Sequence, residues 1–146
     1  MADQTSSTIV VAAAPAAVMA VIADFESYPS WIKGMQSAEI TAMGEDGRAE
    51  RVRFALDVPP IRDKYTLGYV WHSDLEVSWG LVEATLLRSL DGVYRLRDLG
   101  NGSTEVTYEL KLDLAVPIIG MLKRKGERIL IETALKGLKT RVETLS

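Results

Sequence analysis

Between Gln36 and Asp113 the apolar positions of this chain recur every second residue. Val52, Phe54 and Leu56 alternate with Arg51, Arg53 and Asp57, and Tyr65, Leu67, Tyr69 and Trp71 with Lys64, Thr66 and His72. Val77, Trp79 and Leu81 alternate with Glu76 and Ser78, Tyr94 and Leu96 with Arg95 and Arg97, and Val106, Tyr108, Leu110 and Leu112 with Thr107, Glu109, Lys111 and Asp113. Successive side chains of a strand point to opposite faces, so this rhythm predicts a sheet with one face covered and the other in water. Six strands are expected over Gln36–Met43, Arg48–Asp57, Arg62–His72, Leu75–Glu83, Leu90–Asp98 and Thr104–Asp113. Gly44-Glu45-Asp46-Gly47, His72-Ser73-Asp74 and Gly100-Asn101-Gly102 read as tight turns, which makes the six an antiparallel meander. Gly68, Gly80 and Gly92 fall inside strands, where glycine marks a bend or bulge and lets the sheet curl.

The ends of the chain follow other periods. Ser6–Ala13 reads as a first strand. Pro15 opens a short helix to about Asp24, with Val18, Val21, Ile22 and Phe25 at helical spacing, since proline is tolerated at the first helical position. A second short helix is expected around Trp31 and Ile32, with Ser27 or Ser30 as its cap. After Pro117 the longest stretch without proline, Ile118–Leu145, carries Leu122, Ile129, Leu130, Ala134, Leu138, Val142 and Leu145 on one stripe. At 1.5 Å per residue this helix would run about 40 Å, the width of a small domain. The fold class is therefore α+β: about seven strands in a curved antiparallel sheet around a long C-terminal helix, with two short helices between strands one and two, in a single domain over 1–146.

Composition narrows the chemistry. With 146 residues, 47% hydrophobic and 25% charged, the chain has the make-up of a globular domain with a real core. It has no cysteine and one histidine, His72, so thiolate chemistry is excluded and a histidine-based metal site or triad is not expected. His72, beside a turn, reads as a surface residue. Net charge is −3; from Ile118 onward seven Lys or Arg face three Glu, so that segment is +4 and the remainder −7. An acidic remainder argues against a nucleic-acid partner. The apolar run Ile9–Ala23 has no Lys or Arg before it and is interrupted by Pro15, unlike a signal peptide, and a cytoplasmic protein is expected.

The order of elements, with Val10-Val11-Ala12-Ala13-Ala14-Pro15-Ala16-Ala17-Val18, Asp24-Phe25-Glu26-Ser27-Tyr28-Pro29-Ser30-Trp31 and Gly102-Ser103-Thr104-Glu105-Val106-Thr107-Tyr108-Glu109-Leu110, resembles the helix-grip fold of the START-like superfamily. The resemblance spans nearly the whole chain and is nearest the polyketide cyclase/dehydrase and lipid-transport branch, close to the coenzyme-Q-binding group. Ala14 stands where relatives often have a capping serine, and Trp31-Ile32-Lys33-Gly34 departs from the coenzyme-Q pattern. The resemblance implies a hydrophobic small molecule or lipid held between the sheet and the last helix, without a cofactor or metal.

The inward phase supplies the candidate ligand-binding residues Phe54, Tyr65, Tyr69, Trp71, Trp79, Tyr94 and Tyr108. Seven aromatics facing one helix are hard to pack solid, and buried Tyr and Trp need partners for their polar tips. On the helix, Leu122, Gly126, Ile129, Leu130 and Thr133 are expected to form a cavity wall, while Ala134, Leu138, Val142 and Leu145 close the core. A cyclase-type enzyme is the alternative. It would use Glu50 or Glu83, the carboxylates on the inward phase, with Tyr65, Tyr69 or Tyr94 on a bound carbonyl compound. The cluster Lys123–Arg128 reads either as a solvated helix face or as a transient contact with a membrane surface at the cavity mouth.

Overall fold

The computed structural model describes residues 5–58, 61–114 and 120–145, leaving aside the side chains of 61 and 120–122. In chain order these form β1 (Thr5–Val11), α1 (Pro15–Ala23), a single 3-10 turn (Phe25–Ser27), α2 (Tyr28–Trp31), β2 (Met35–Met43), β3 (Ala49–Val58), β4 (Ile61–Ser73), β5 (Glu76–Ala84), β6 (Leu87–Asp98), β7 (Thr104–Leu114) and α3 (Gly120–Leu145). The element order is the one the alternation predicts. β6 starts three residues earlier than the apolar rhythm indicates, because a register shift between Leu87 and Ser89 interrupts the alternation there. α1 begins on Ala14 with extended backbone and no side-chain cap, and Ser27 makes no cap to α2.

The seven strands form one curved sheet in the order β1-β7-β6-β5-β4-β3-β2, every neighbour antiparallel. Gly68 and Gly80 face one another across β4 and β5, and Gly92 faces Trp79 across β5 and β6. A methyl on Gly92 would sit 2.5 Å from the Trp79 ring, so the missing side chain is what lets the indole lie flat across β6. Beyond that pair the ladder between β5 and β6 stops. The Leu81 amide donates instead to Asp91 Oδ1 at 3.1 Å. Asp63 secures the connection out of β5, its carboxylate accepting from the amides of Leu86 at 2.7 Å and Leu87 at 2.8 Å.

α3 lies along the concave face and is stitched to β1 and β7. Lys139 Nζ donates to the Val10 carbonyl at 2.9 Å and to Glu143 Oε2 at 2.6 Å, and that carboxylate also accepts from the Ala12 amide at 2.9 Å. The hydrogen bond from Lys139 holds the Glu143 carboxyl below the usual carboxylate range, with the Ala12 amide acting the same way. Glu127, fully buried, accepts from Thr5 Oγ1 at 2.6 Å and from the Leu112 amide at 2.7 Å. β1 pairs with β7 as far as Thr5 opposite Leu110, so this side chain supplies the acceptor for Leu112 beyond the last described pair.

Two corrections follow for the helix stripe. Leu145 is 62% exposed and does not close the core, since it sits in the last turn past the end of the sheet. Ile131, Leu135 and Glu127, left off the expected stripe, are buried, because β7 and β1 cover a wider arc of the helix than one apolar stripe marks. Ala134, Leu138 and Val142 are buried as expected.

Candidate functional site

The inward-facing aromatics form one continuous cluster. Phe25 and Tyr28, carried by the turn and α2, insert between the sheet and α3 and meet Phe54 at 6.3 and 5.9 Å between ring centroids. From there the rings run through Tyr69, 4.6 Å from Phe25, to Trp79 at 5.8 Å. They end in a triangle of Trp79, Tyr94 and Tyr108 with centroids 4.6–5.4 Å apart. Most of the aromatic volume thus packs against itself in tilted and edge-to-face contacts, which is how seven inward rings are accommodated.

What remains open is a cavity of about 70 Å³. It has room for a few waters but is far below the roughly 300–1,000 Å³ of a small-molecule pocket. Phe54, Tyr65, Tyr69, Trp79, Tyr94, Tyr108 and Leu130 line it, as expected from the alternation. Tyr28, Ile32, Met35, Leu56, Leu67, Leu90 and Ala134, outside the expected wall, line it too. Leu56 and Leu67 share the inward phase and were legible on that ground. Tyr28, Ile32 and Met35 were not, because nothing in a short non-periodic stretch says which way it folds back.

Three expected wall residues sit elsewhere. Trp71 stands at the end of the cluster, its indole N–H donating to the Ala49 carbonyl at 2.8 Å and the Arg48 guanidinium 4.9 Å above its ring. Arg48 is held in place by Asp74 at 2.7 Å, so two turns close over the indole. Ile129 faces outward among Arg124, Lys125, Arg128 and Glu132, and Thr133 lines a groove between α2 and α3. Both lie on the side of α3 turned away from the sheet. The Leu122 side chain falls outside the described residues, and Gly126 is buried.

The carboxylates proposed for catalysis are on the wrong side of the sheet. Thr66 pairs with Glu83 but Leu67 pairs with Leu81, so Val82 is an extra residue in β5. That bulge reverses the phase: Glu83 stands opposite Thr66, outside, while Tyr65 and Leu67 point in. Met43 pairs with Ala49 and Ala42 with Arg51, so Glu50 is likewise the extra residue of a bulge and is exposed. Carrying the alternation through these two points is what put both glutamates inside. His72 is exposed, its Nε2 2.7 Å from Ser78 Oγ.

Among the described residues, the cavity lining therefore holds no carboxylate, lysine, arginine or histidine. Its polar atoms are phenols. Tyr28 donates to the Ile22 carbonyl. The hydroxyls of Tyr65, Tyr69, Tyr94 and Tyr108 have no hydrogen-bond partner among the described residues. Burial pushes all four phenols above the ordinary tyrosine value. They stay protonated at neutral pH and act as hydrogen-bond donors, not as bases. Among the described residues no group of three or more His, Asp or Glu comes together as a metal site requires, and no helix is long and apolar enough to cross a membrane.

The fold recurs widely among solved structures. A START superfamily protein from Mycobacterium smegmatis superposes with a TM-score of 0.91 at 23% identity, over 98% of this chain and 99% of its own. A protein from Thermus thermophilus gives 0.84 at 23% identity, covering 98% and 99%. The Zhui aromatase/cyclase from Streptomyces sp. R1128 gives 0.80 at 17% identity, covering 96% and 93%. A comparison with curated protein sequences finds no match. The family model described as polyketide cyclase/dehydrase and lipid transport matches residues 3–143, and its description names no quinone. With that match running through every strand and into the last turns of α3, on a helix-grip frame around an aromatic cavity, the chain belongs to the polyketide cyclase/dehydrase and lipid transport family.

Proposed function

We propose that this protein binds a neutral hydrophobic small molecule carrying oxygen acceptors, in the cavity between the sheet and α3. The observation that carries this is the set of four phenol donors without partners among the described residues, on an otherwise apolar, uncharged wall. Phenol hydroxyls that line the cavity can donate to carbonyl or hydroxyl oxygens of a ligand, or to waters standing in for them. A free carboxylate has no cation to meet it in the cavity and would be costly to bury. Lipid carriage on this reading means a lipid whose buried part is uncharged.

A cavity of about 70 Å³ must widen to admit such a molecule. A cyclase reaction by Glu50 or Glu83 with a tyrosine lacks geometric support, because both glutamates lie outside the cavity that holds the phenols.

The test is native mass spectrometry of the purified protein, followed by displacement of a bound fluorescent apolar dye by neutral aromatic ketones and by fatty acids. Saturable dye uptake, with ketones displacing it better than fatty acids and a Tyr94→Phe/Tyr108→Phe double variant narrowing that difference, supports the reading. A protein that takes up no dye and no ketone overturns it.

A further inference from the structure

A second concave site lies outside the cavity. Between α2 and α3 runs an open groove of about 720 Å³ lined by Ser30, Trp31, Lys33, Thr133, Lys136, Gly137, Thr140, Arg141 and Thr144. Two features set it apart. It holds three cations from two separate elements and no carboxylate. On the outer face of the sheet, by contrast, Arg95 sits 3.5 Å from Glu76 and 2.8 Å from Glu109, and Arg97 sits 3.1 Å from Glu105. None of Lys33, Lys136 and Arg141 has a carboxylate partner among the described residues.

Trp31 forms part of the wall, its ring packed on Tyr28 and its indole nitrogen closed off from the groove. The second feature is the hydroxyls. Ser30 and Thr144 already donate to backbone carbonyls, of Ser27 and Thr140, at 2.6 Å each. The hydroxyls of Thr133 and Thr140 are engaged with no described partner and are free to donate. The groove is therefore rich in donors and positive charge and poor in acceptors.

Neutralising the dipole of α3 does not explain this, because its last turn carries no cation and Lys33 belongs to the segment after α2. Close approach of the two elements brings Lys33 to the others. A methyl on Gly137 would lie 2.5 Å from the Trp31 carbonyl oxygen, so glycine is what seats the end of α2 on α3.

We infer that this groove binds a phosphate monoester, with Lys33, Lys136 and Arg141 meeting the charge and Thr133 and Thr140 as neutral donors. Phosphate offers three acceptor oxygens to such a set, and the arginine fork suits it. The groove volume leaves space for an organic group attached to the phosphate. The inference does not depend on what fills the cavity. Ile32 and Ala134 line the cavity while their neighbours Trp31, Lys33 and Thr133 line the groove, so a single layer separates the two sites.

The experiment is amide NMR titration of the full chain with inorganic phosphate, with phenyl phosphate, and with vesicles of phosphatidylglycerol or phosphatidylcholine. Saturable shifts centred on residues 30–33 and 133–144 are expected with phenyl phosphate, weakened about tenfold or more in Lys33→Gln/Arg141→Gln and unchanged in Lys125→Gln. Shifts or broadening of the same amides by phosphatidylglycerol vesicles alone would overturn the monoester, because that headgroup is a phosphodiester, and would point to an anionic lipid surface. Absence of saturable change with all four probes overturns the inference. So does binding that Lys33→Gln/Arg141→Gln leaves intact, or shifts spread evenly over Lys123–Arg128. Thermal melts check that the variants fold, and dye uptake by the same variants keeps a failure here distinct from a failure of the cavity reading.

Discussion

At the scale of single residues, the buried polar groups divide into those that hold the frame and those with donors to spare. Glu127 belongs to the first kind. It is a fully buried carboxylate whose two oxygens serve a hydroxyl of β1 and an amide of β7. Glu127→Ala strands the Leu112 amide and is expected to cost about 2–4 kcal/mol. That corresponds to a Tm lower by roughly 6–12 °C in a calorimetric scan, with Glu127→Gln milder. A change within error would show that β1 does not rely on this contact. Tyr65, Tyr69, Tyr94 and Tyr108 are the second kind, whereas Tyr28 donates to the Ile22 carbonyl. All five tyrosines are held above their ordinary value of 10.0, with burial the largest cause for each. A phenol whose value is raised by folding keeps its proton in the native state while the unfolded chain loses it. The stability it contributes is complete below 10.0 and drains away as the pH rises above that. Tyrosinate absorbance is therefore expected to appear together with loss of structure in an alkaline titration. A smooth component near pH 10 in a still-folded protein would contradict the burial.

At the scale of elements, what the alternation made legible and what it missed have a common cause. Strand existence follows from period-two patterning, and all six predicted strands of the meander are present. Which face a residue takes requires an unbroken ladder. The extra residues at Glu50 and Val82 break it. Neither bulge is marked by a glycine or proline of its own, so the reversal of Glu83 was invisible along the chain. The helices show the same limit. α3 was legible from its stripe, but its partner α2 is four residues long, and the contact between them depends on Gly137. In the middle of an exposed helix Gly→Ala gains about 1 kcal/mol of helix propensity. Here the added methyl would meet a backbone oxygen that cannot step aside, so Gly137→Ala is expected to lower Tm despite that gain. A rise in Tm would mean that α2 is free to move off α3.

At the scale of the whole molecule, the sheet, α1, α2 and α3 enclose a core that is nearly solid. Seven inward aromatics suggested a roomy interior, yet Phe25 and Tyr28 fill much of it from the helical side. The remaining cavity is polar only through its phenols, which is why the binding reading rests on neutral oxygen-bearing ligands and why uptake must come with widening. The enclosing wall is uneven. β6 and β7 pair along their whole length, whereas β5 and β6 pair only from Glu76 to Trp79 before Asp91 takes over. Charge is uneven as well: the acidic remainder of the chain sits against a last helix whose outer side carries the excess of Lys and Arg.

By itself the sequence determined the class of fold, the order and nearly all the bounds of its elements, and an inward face dominated by aromatics. These are set by local periodicity, by turn residues and by a stripe on one long helix, all of which act between near neighbours in the chain. Only the tertiary structure decided how much of that face stays open, that Glu50 and Glu83 lie outside it, and that Trp71 is sealed under Arg48. It also decided that Lys33, Lys136 and Arg141 share one groove. Each of these depends on contacts between residues far apart in the chain, and on bulges whose one-residue slips reverse a face without leaving a mark in the pattern.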